Sequence, residues 1–261
     1  MRTTSILFIV FNRPEYTKKV LEKIRIAKPN KLFVAADGPR ENIVSDFVKC
    51  QKTREVISKG VDWECELYTL FRDENLGCGK GVSSAISWFF DHVEEGIILE
   101  DDIVPDMSFF GYCSRLLEYY RYDDEVAIIC GNNCIPENKL TTIQESYFFS
   151  SYNAIWGWAS WKRVWERYRF DLEKRDFENL DQNLEQLYRF SCSERLFWKN
   201  IYSEMLRHSV DTWDYQFTFS IWLHGGVCII PKQNLIKNIG FGDDSTHTKG
   251  VNSFDYLRIK E

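Results

Sequence analysis

Three consecutive acids, Glu100-Asp101-Asp102, close the short apolar run Gly96-Ile97-Ile98-Leu99, and Pro105 soon prevents a simple strand continuation. An Ile-Ile-Leu run after glycine reads as a buried strand, and strands of open α/β sheets present their carboxyl ends to the ligand crevice. Adjacent carboxylates repel one another and raise their own pKa values, so such a triplet is costly unless a cation or hydrogen bonds offset it. Oxygen-only ligands suit Mg²⁺ or Mn²⁺. The competing reading is a solvated turn after a strand.

The elements that must carry these acids show in the first half, where apolar runs alternate with helical stretches, as in a mainly parallel sheet covered on both faces. Four strands are predicted. Residues 5–11 end at Asn12-Arg13-Pro14, and a helix over 15–27 follows, with Pro14 suited to its first turn. Residues 31–36 end at Asp37-Gly38-Pro39, before a helix starting near Glu41. Residues 64–71 end at Arg72-Asp73-Glu74-Asn75-Leu76-Gly77, before a helix over about 81–92. Residues 97–99 end at the acid triplet.

Arg13, Asp37, Arg72 and the triplet thus all fall just past the carboxyl end of a strand. Two arginines, a glycine-bearing loop and a metal-type acid cluster on one edge match a nucleoside diphosphate, whose phosphates take guanidinium forks and a divalent cation. Gly77-Cys78-Gly79-Lys80-Gly81 would bring backbone amides and Lys80 to that ligand at a helix start. The segment is neither a P-loop nor G-x-G-x-x-G. Singly, Arg13 and Arg72 also read as surface residues and Asp37-Gly38 as a turn pair; their joint placement favours a site.

Other classes are excluded by composition. With 33 basic and 39 acidic residues, a formal charge of −6 and no Lys/Arg run, a nucleic-acid partner is not expected. The apolar run at 6–11 is too short for a secretory h-region or a membrane span, so an intracellular chain is expected. Eight cysteines without a Cys-x-x-Cys pair and four scattered histidines indicate neither zinc nor redox chemistry. The 261 residues, 44% hydrophobic, suffice for one large core.

From Ala127 the apolar runs shorten and aromatics multiply. Trp158, Trp161 and Trp165 at i, i+3 and i+7 predict one face of a helix continuing through Arg163 and Arg167, either core packing or a sugar-stacking platform. Trp156 and Trp158, flanking Gly157, are expected at a pocket. Residues 161–169 read as an ordinary amphipathic helix or as one lying on a lipid surface. In Val210-Asp211-Thr212-Trp213-Asp214-Tyr215-Gln216-Phe217, an acid set among rings suits proton abstraction, since burial raises a carboxyl pKa. A helix start capped by Asp211 explains the same segment. Residues 238–248, with Gly240 and Gly242, read as a lid in which His247 touches a phosphate or the metal, or lies in solvent.

In the order Arg13, Asp37-Gly38, Asn75-Leu76-Gly77, Glu100-Asp101-Asp102, Gly157-Trp158, Trp213-Asp214 and a terminal loop with His247, the chain resembles nucleotide-sugar glycosyltransferases of the GT-A fold. Within that fold it resembles the Golgi N-acetylglucosaminyltransferase I family and bacterial family 2-like glycosyltransferases, across residues 5–248. The resemblance implies an α/β, Rossmann-like, mainly parallel sheet with helices on both faces and an appended acceptor-side region. Residues 1–126 would be the nucleotide-sugar half and 127–261 the acceptor-side half of one domain. It implies metal-dependent inverting transfer from a UDP-sugar to a glycan or lipid-linked saccharide. Asp102 would ligate Mn²⁺ (or Mg²⁺) with His247 near it, and Glu100 and Asp101 would contact donor sugar and ribose. Arg13 would meet the diphosphate and Asp37 the uracil, with Arg72, Asn75 and Lys80 also on the donor. Trp158 and Trp213 would border the sugar, and Asp214 would be the base.

Two departures matter. A Golgi-type amino-terminal anchor is missing, which points to a cytoplasmic enzyme with at most peripheral contact at the inner membrane face. Tyr215 stands where the Golgi enzymes carry a second acid, which keeps Asp211 as a competing base. Two other readings stay open: a catalytically silent nucleotide- or carbohydrate-binding module, and a sugar nucleotidyltransferase. The latter needs a glycine-rich basic loop after the first strand, which Asn12-Arg13-Pro14 does not supply.

Overall fold

The computed structural model describes residues 4–241, and the chain opens with β-α repeats. β1 (Ile6–Val10) leads into α1 (Pro14–Ala27), β2 (Lys31–Ala36) into α2 (Val44–Gly60), and β3 (Glu66–Phe71) into α3 (Gly77–Phe90). β4 (Glu95–Glu100) turns through the acids into the short β5 (Ile103–Pro105), then α4 (Met107–Tyr119) and β6 (Val126–Cys130). α1 forms where Pro14 fits the first turn, and it buries Thr17, Val20, Leu21 and Ile24 at helical spacing. α2 starts three residues after the predicted Glu41, and α3 starts at Gly77, four before the predicted residue 81.

The second half adds β7 (Tyr147–Ser150), β8 (Trp158–Trp161), α5 (Lys162–Trp165), α6 (Asp176–Gln186), α7 (Cys192–Leu206), α8 (Asp214–Leu223), β9 (Val227–Pro231) and β10 (Ile236–Asn238). Both halves build one eight-stranded sheet in the order β3-β2-β1-β4-β8-β6-β9-β7, mainly parallel and flanked by helices; β10 pairs separately with β5. β8 runs antiparallel to β4 and β6, and β7 antiparallel to β9. None of the described helices is long and apolar enough to cross a membrane.

Register decides where chemistry gathers. Val10 pairs with Ala36, Ala36 with Phe71 and Ile9 with Glu100. The residues that follow, Phe11 to Arg13, Asp37, Arg72 and Asp101-Asp102, therefore share one edge with Glu100, the last residue of β4.

The tryptophan stripe is corrected. Trp158 and Trp161 begin and end β8, and only Lys162 to Trp165 are helical, so the three rings do not ride one helix. Antiparallel pairing with β4 and β6 outweighs a spacing that mimics a helix. All three rings are buried, and the Arg163 guanidinium donates to the carbonyls of Tyr120, Arg121, Asp123 and Val126. Residues 161–169 therefore do not form the lipid-facing amphipathic helix considered for them. The cysteines are all free, and Cys50, Cys113, Cys130 and Cys228 are buried.

Candidate functional site

A cavity of about 380 Å³ opens at the shared strand edge, within the range of ligand pockets. Arg13, Asp37, Arg72, Asn75, Glu100, Asp101 and Asp102 all line it. These are seven of the sequence-derived candidates, brought together by the register above.

Arg13 stands at the N-cap position of α1, and its guanidinium forks between two acids. Nη1 donates to Asp102 Oδ2 at 3.0 Å, and Nη2 donates to Asp101 Oδ1 in a short ion pair. Asp101 is 2% exposed and also accepts the Phe11 N–H at 3.4 Å. Burial nevertheless pushes its pKa up to about 6, with Arg13 opposing. The Glu100 carboxylate accepts no hydrogen bond among the described residues; burial, then the charges of Asp102 and Asp101, push it up to about 8. Over the triplet lies the β10 side: Ile239 N–H donates to the Asp102 carbonyl at 2.9 Å, and a Cβ on Gly240 would overlap the Asp102 carboxylate.

On the other side, Asp37 accepts the N–H groups of Gly38 at 3.1 Å and Leu76 at 3.0 Å. Burial still holds its pKa above the ordinary value. Asn75 donates to the Gly38 carbonyl at 2.9 Å and accepts from Gly77 N–H at 3.2 Å, so it closes the loop onto that turn. Arg72 donates to Ser84 Oγ at 2.9 Å and forms no ion pair among the described residues.

The second half contributes a loop. Both carboxylate oxygens of Asp211 accept backbone N–H groups at the start of α3, from Cys78 at 2.9 Å and Gly79 at 2.8 Å. This corrects two expectations. Asp211 caps α3 across the molecule, whereas its own helix α8 begins after Trp213 with no side-chain cap. Of the amides expected to receive a phosphate at residues 77–81, those of Cys78 and Gly79 are already taken by a carboxylate and that of Gly77 by the Asn75 side chain. Asp214 is the first residue of α8, in the first turn where acids are favoured. Its Oδ1 accepts the Tyr215 N–H at 2.9 Å and a short bond from the Thr212 hydroxyl. Oδ2 has no partner among the described residues, and its charge lies close enough to raise Glu100.

Asp214 is absent from the cavity wall, and three further candidates lie elsewhere. Trp158 and Trp213, 1% and 3% exposed, stack on each other at 5.8 Å inside the aromatic core, so they back the site and do not border a ligand. Pairing at β8 and ring-on-ring packing draw them inward. Lys80 is exposed on α3 and absent from the cavity wall. His247, and with it most of the expected lid at 238–248, falls outside the described residues.

Several contributors were missed. Arg40 reaches the cavity beside Phe11, its guanidinium 5.5 Å from that ring, and is held by buried Asp46 at 2.6 Å. Arg54 of α2 ties the ends of β2 and β3 together through the carbonyls of Asp37 and Arg72. Cys78 lines the cavity with a thiol that burial pushes up to about 12, so it stays protonated. Phe241 meets Trp156 edge to face at 5.4 Å. Arg40 alone carried a signal, by following the Asp37 turn.

No family model and no curated protein matches the chain. Among solved structures it is similar to residues 1–349 of TarS from S. aureus, at 11% identity, 89% of this chain, 59% of that one and a TM-score of 0.48. It is similar to the inositol-1-phosphate CTP transferase from T. maritima at 12% identity, 98% and 96% coverage and a TM-score of 0.44. It is similar to a UDP-glucose pyrophosphorylase complexed with UDP-glucose at 8% identity, 63% and 78% coverage and a TM-score of 0.41. At such identities and scores, function has to be argued from the site.

Proposed function

We propose that the chain transfers a sugar, with inversion, from a UDP-sugar to a hydroxyl of a saccharide or lipid-linked saccharide. The observation that carries this reading is the meeting of Glu100, Asp101 and Asp102 with Arg13 and Arg72 in one cavity; Asp214 is not part of that cavity's wall, but its charge acts on Glu100. Arg72, uncommitted to any carboxylate by hydrogen bond, suits the diphosphate. Asp214 keeps Oδ1 anchored and Oδ2 open for the acceptor proton as the hydroxyl oxygen attacks the anomeric carbon. Asp211 is a poorer base, because backbone amides occupy both its oxygens.

The donor set fits Mn²⁺ or Mg²⁺: it is all oxygen, and the Glu100 carboxylate has no hydrogen-bond partner among the described residues. Among those residues, no three His, Cys, Asp or Glu side chains form a ready cluster. Such ions take one or two carboxylates and complete their shell with substrate phosphates. Asp102, with Glu100 beside it, would hold the ion, which when bound supplies Lewis-acid stabilisation of the departing diphosphate.

A nucleotidyltransferase reading is weaker, because β1 runs through Asn12-Arg13 directly into α1 and leaves no glycine-rich loop for a triphosphate. Incubation with labelled UDP-sugars, Mn²⁺ and acceptor glycans should release UDP only when acceptor is present. Binding without release would favour a silent module, and consumption of a nucleoside triphosphate with a sugar phosphate would favour nucleotidyl transfer. Asp102→Asn should keep the fold and lose the Mn²⁺-dependent part of UDP affinity in calorimetry; unchanged Mn²⁺-UDP binding would remove the metal from the proposal.

A further inference from the structure

Resting on that reading for its catalytic consequence, we infer that Asp211 is a positioning residue: it clamps the loop that carries Asp214 onto the first turn of the donor-side helix α3. The contact joins parts of the chain more than 130 residues apart, through Cys78 N–H at 2.9 Å and Gly79 N–H at 2.8 Å. The N-terminus of α3 has no side-chain cap of its own from Leu76, so the carboxylate serves donors that would otherwise go unsatisfied.

The cradle is shaped for it. A Cβ on Gly77 would stand 2.5 Å from Asp211 Oδ2, and Gly77 has φ +79, where a side chain is strained as well. A Cβ on Gly79 would stand 2.8 Å from Asp211 Oδ1 and 2.9 Å from the Thr212 carbonyl. The glycines that suggested a phosphate loop therefore admit the chain's own carboxylate, and a donor phosphate has no free amide there.

From Asp211 the loop reaches Asp214 in three residues, each fixed. The Thr212 carbonyl accepts from Gln216 Nε2 at 3.0 Å, and the Thr212 hydroxyl donates to Asp214. Trp213 is packed against Trp158. The Asp211 clamp is the side-chain hydrogen-bonded contact by which this unit is held directly to the half that carries the strand-end acids. Without it, Asp214 keeps its local hydrogen bonds but loses its fixed distance from the donor.

Asp211→Ala and Gly79→Ala test this from opposite sides, since one removes the carboxylate and the other crowds it. In the ligand-free chain, hydrogen exchange at the Cys78 and Gly79 amides should rise about tenfold or more in both variants, together with exchange across 210–216. Turnover of the UDP-sugar should fall roughly 10- to 100-fold while donor KM stays within about twofold, the signature of a misplaced base. Asp211→Asn, which keeps one acceptor oxygen, should recover part of both losses. Unchanged exchange, or turnover within about twofold of wild type in Asp211→Ala, overturns the clamp. A loss confined to donor KM also overturns it and makes Asp211 a donor ligand. If the wild-type chain turns over no nucleotide sugar, the functional reading falls while the exchange measurement still decides the contact.

Discussion

At the strand ends, Asp101 and Asp102 face a guanidinium, whereas at the entry to α8, Asp211 and Asp214 face backbone N–H groups and one hydroxyl. Charge answered by charge is fragile in one way: removing either partner strands a net charge in a low-dielectric site. Charge answered by peptide dipoles is fragile in another, because what is left behind is neutral and the loss is mainly one of geometry. The first region should therefore register substitution as stability, and the second as turnover.

The largest expected effect tests the second region. Asp214→Asn keeps an Oδ1 able to accept from Tyr215 N–H, so stability should change by under about 1 kcal/mol, the scale of one acid in a first helical turn. Turnover should fall about 10²–10⁴-fold with donor affinity little altered, because a positioned base acts in the transition state. Product NMR should show an anomeric configuration opposite to the donor. Retention, or near-normal turnover, would break both the base assignment and the contrast between regions.

Arg13→Ala tests the first region and should show the reverse. With side chains only 20%, 3% and 16% exposed for Arg13, Asp101 and Asp102, removal of the guanidinium leaves three acids facing one another. A loss of about 2–3 kcal/mol at pH 7 is expected in urea unfolding, somewhat below that of a fully buried pair. The loss should shrink toward pH 5, as Asp101 takes up a proton. A variant as stable as wild type at pH 7 would show that solvent, and not Arg13, answers the acids.

The same division governs what could be read from sequence. Arg13, Asp37, Arg72 and Glu100 to Asp102 were placed together because parallel strands with alternating helices fix both direction and register, so local pattern carries global position. The triplet's crowding was also foreseeable from adjacency. In the second half, Asp211 found its partners at Cys78 and Gly79, which no local spacing encodes, and Trp158 and Trp213 went inward because ring packing and an antiparallel pairing outweighed a helix-like interval. Arg54 was invisible for a related reason, and Arg40 signalled itself only by following the Asp37 turn. Their roles depend on where α2 lies against β2 and β3, and α2 itself began later than its sequence suggested.

The smallest effect sharpens the contrast inside the strand-end region itself, between the acids that Arg13 answers and Glu100, which it does not touch by hydrogen bond. Glu100 is pushed up to about 8 in the folded chain, from an ordinary value of 4.5. Between those two values the folded state binds more protons than the unfolded state, so stability falls as pH rises through that window. In chelator-treated protein, Glu100→Gln has no charge to develop at this position. Its denaturant midpoint should therefore fall less between pH 5 and pH 8 and exceed that of wild type at the upper end. Arg13 stands in the same cluster and takes up part of the repulsion, which holds the difference at pH 8 to on the order of 1 kcal/mol. Near pH 4.5 the two should converge, since both side chains are then largely neutral in the folded protein. Parallel curves across the whole window would mean that the Glu100 charge is already answered in the ligand-free site, and would weaken the case that this carboxylate awaits a cation.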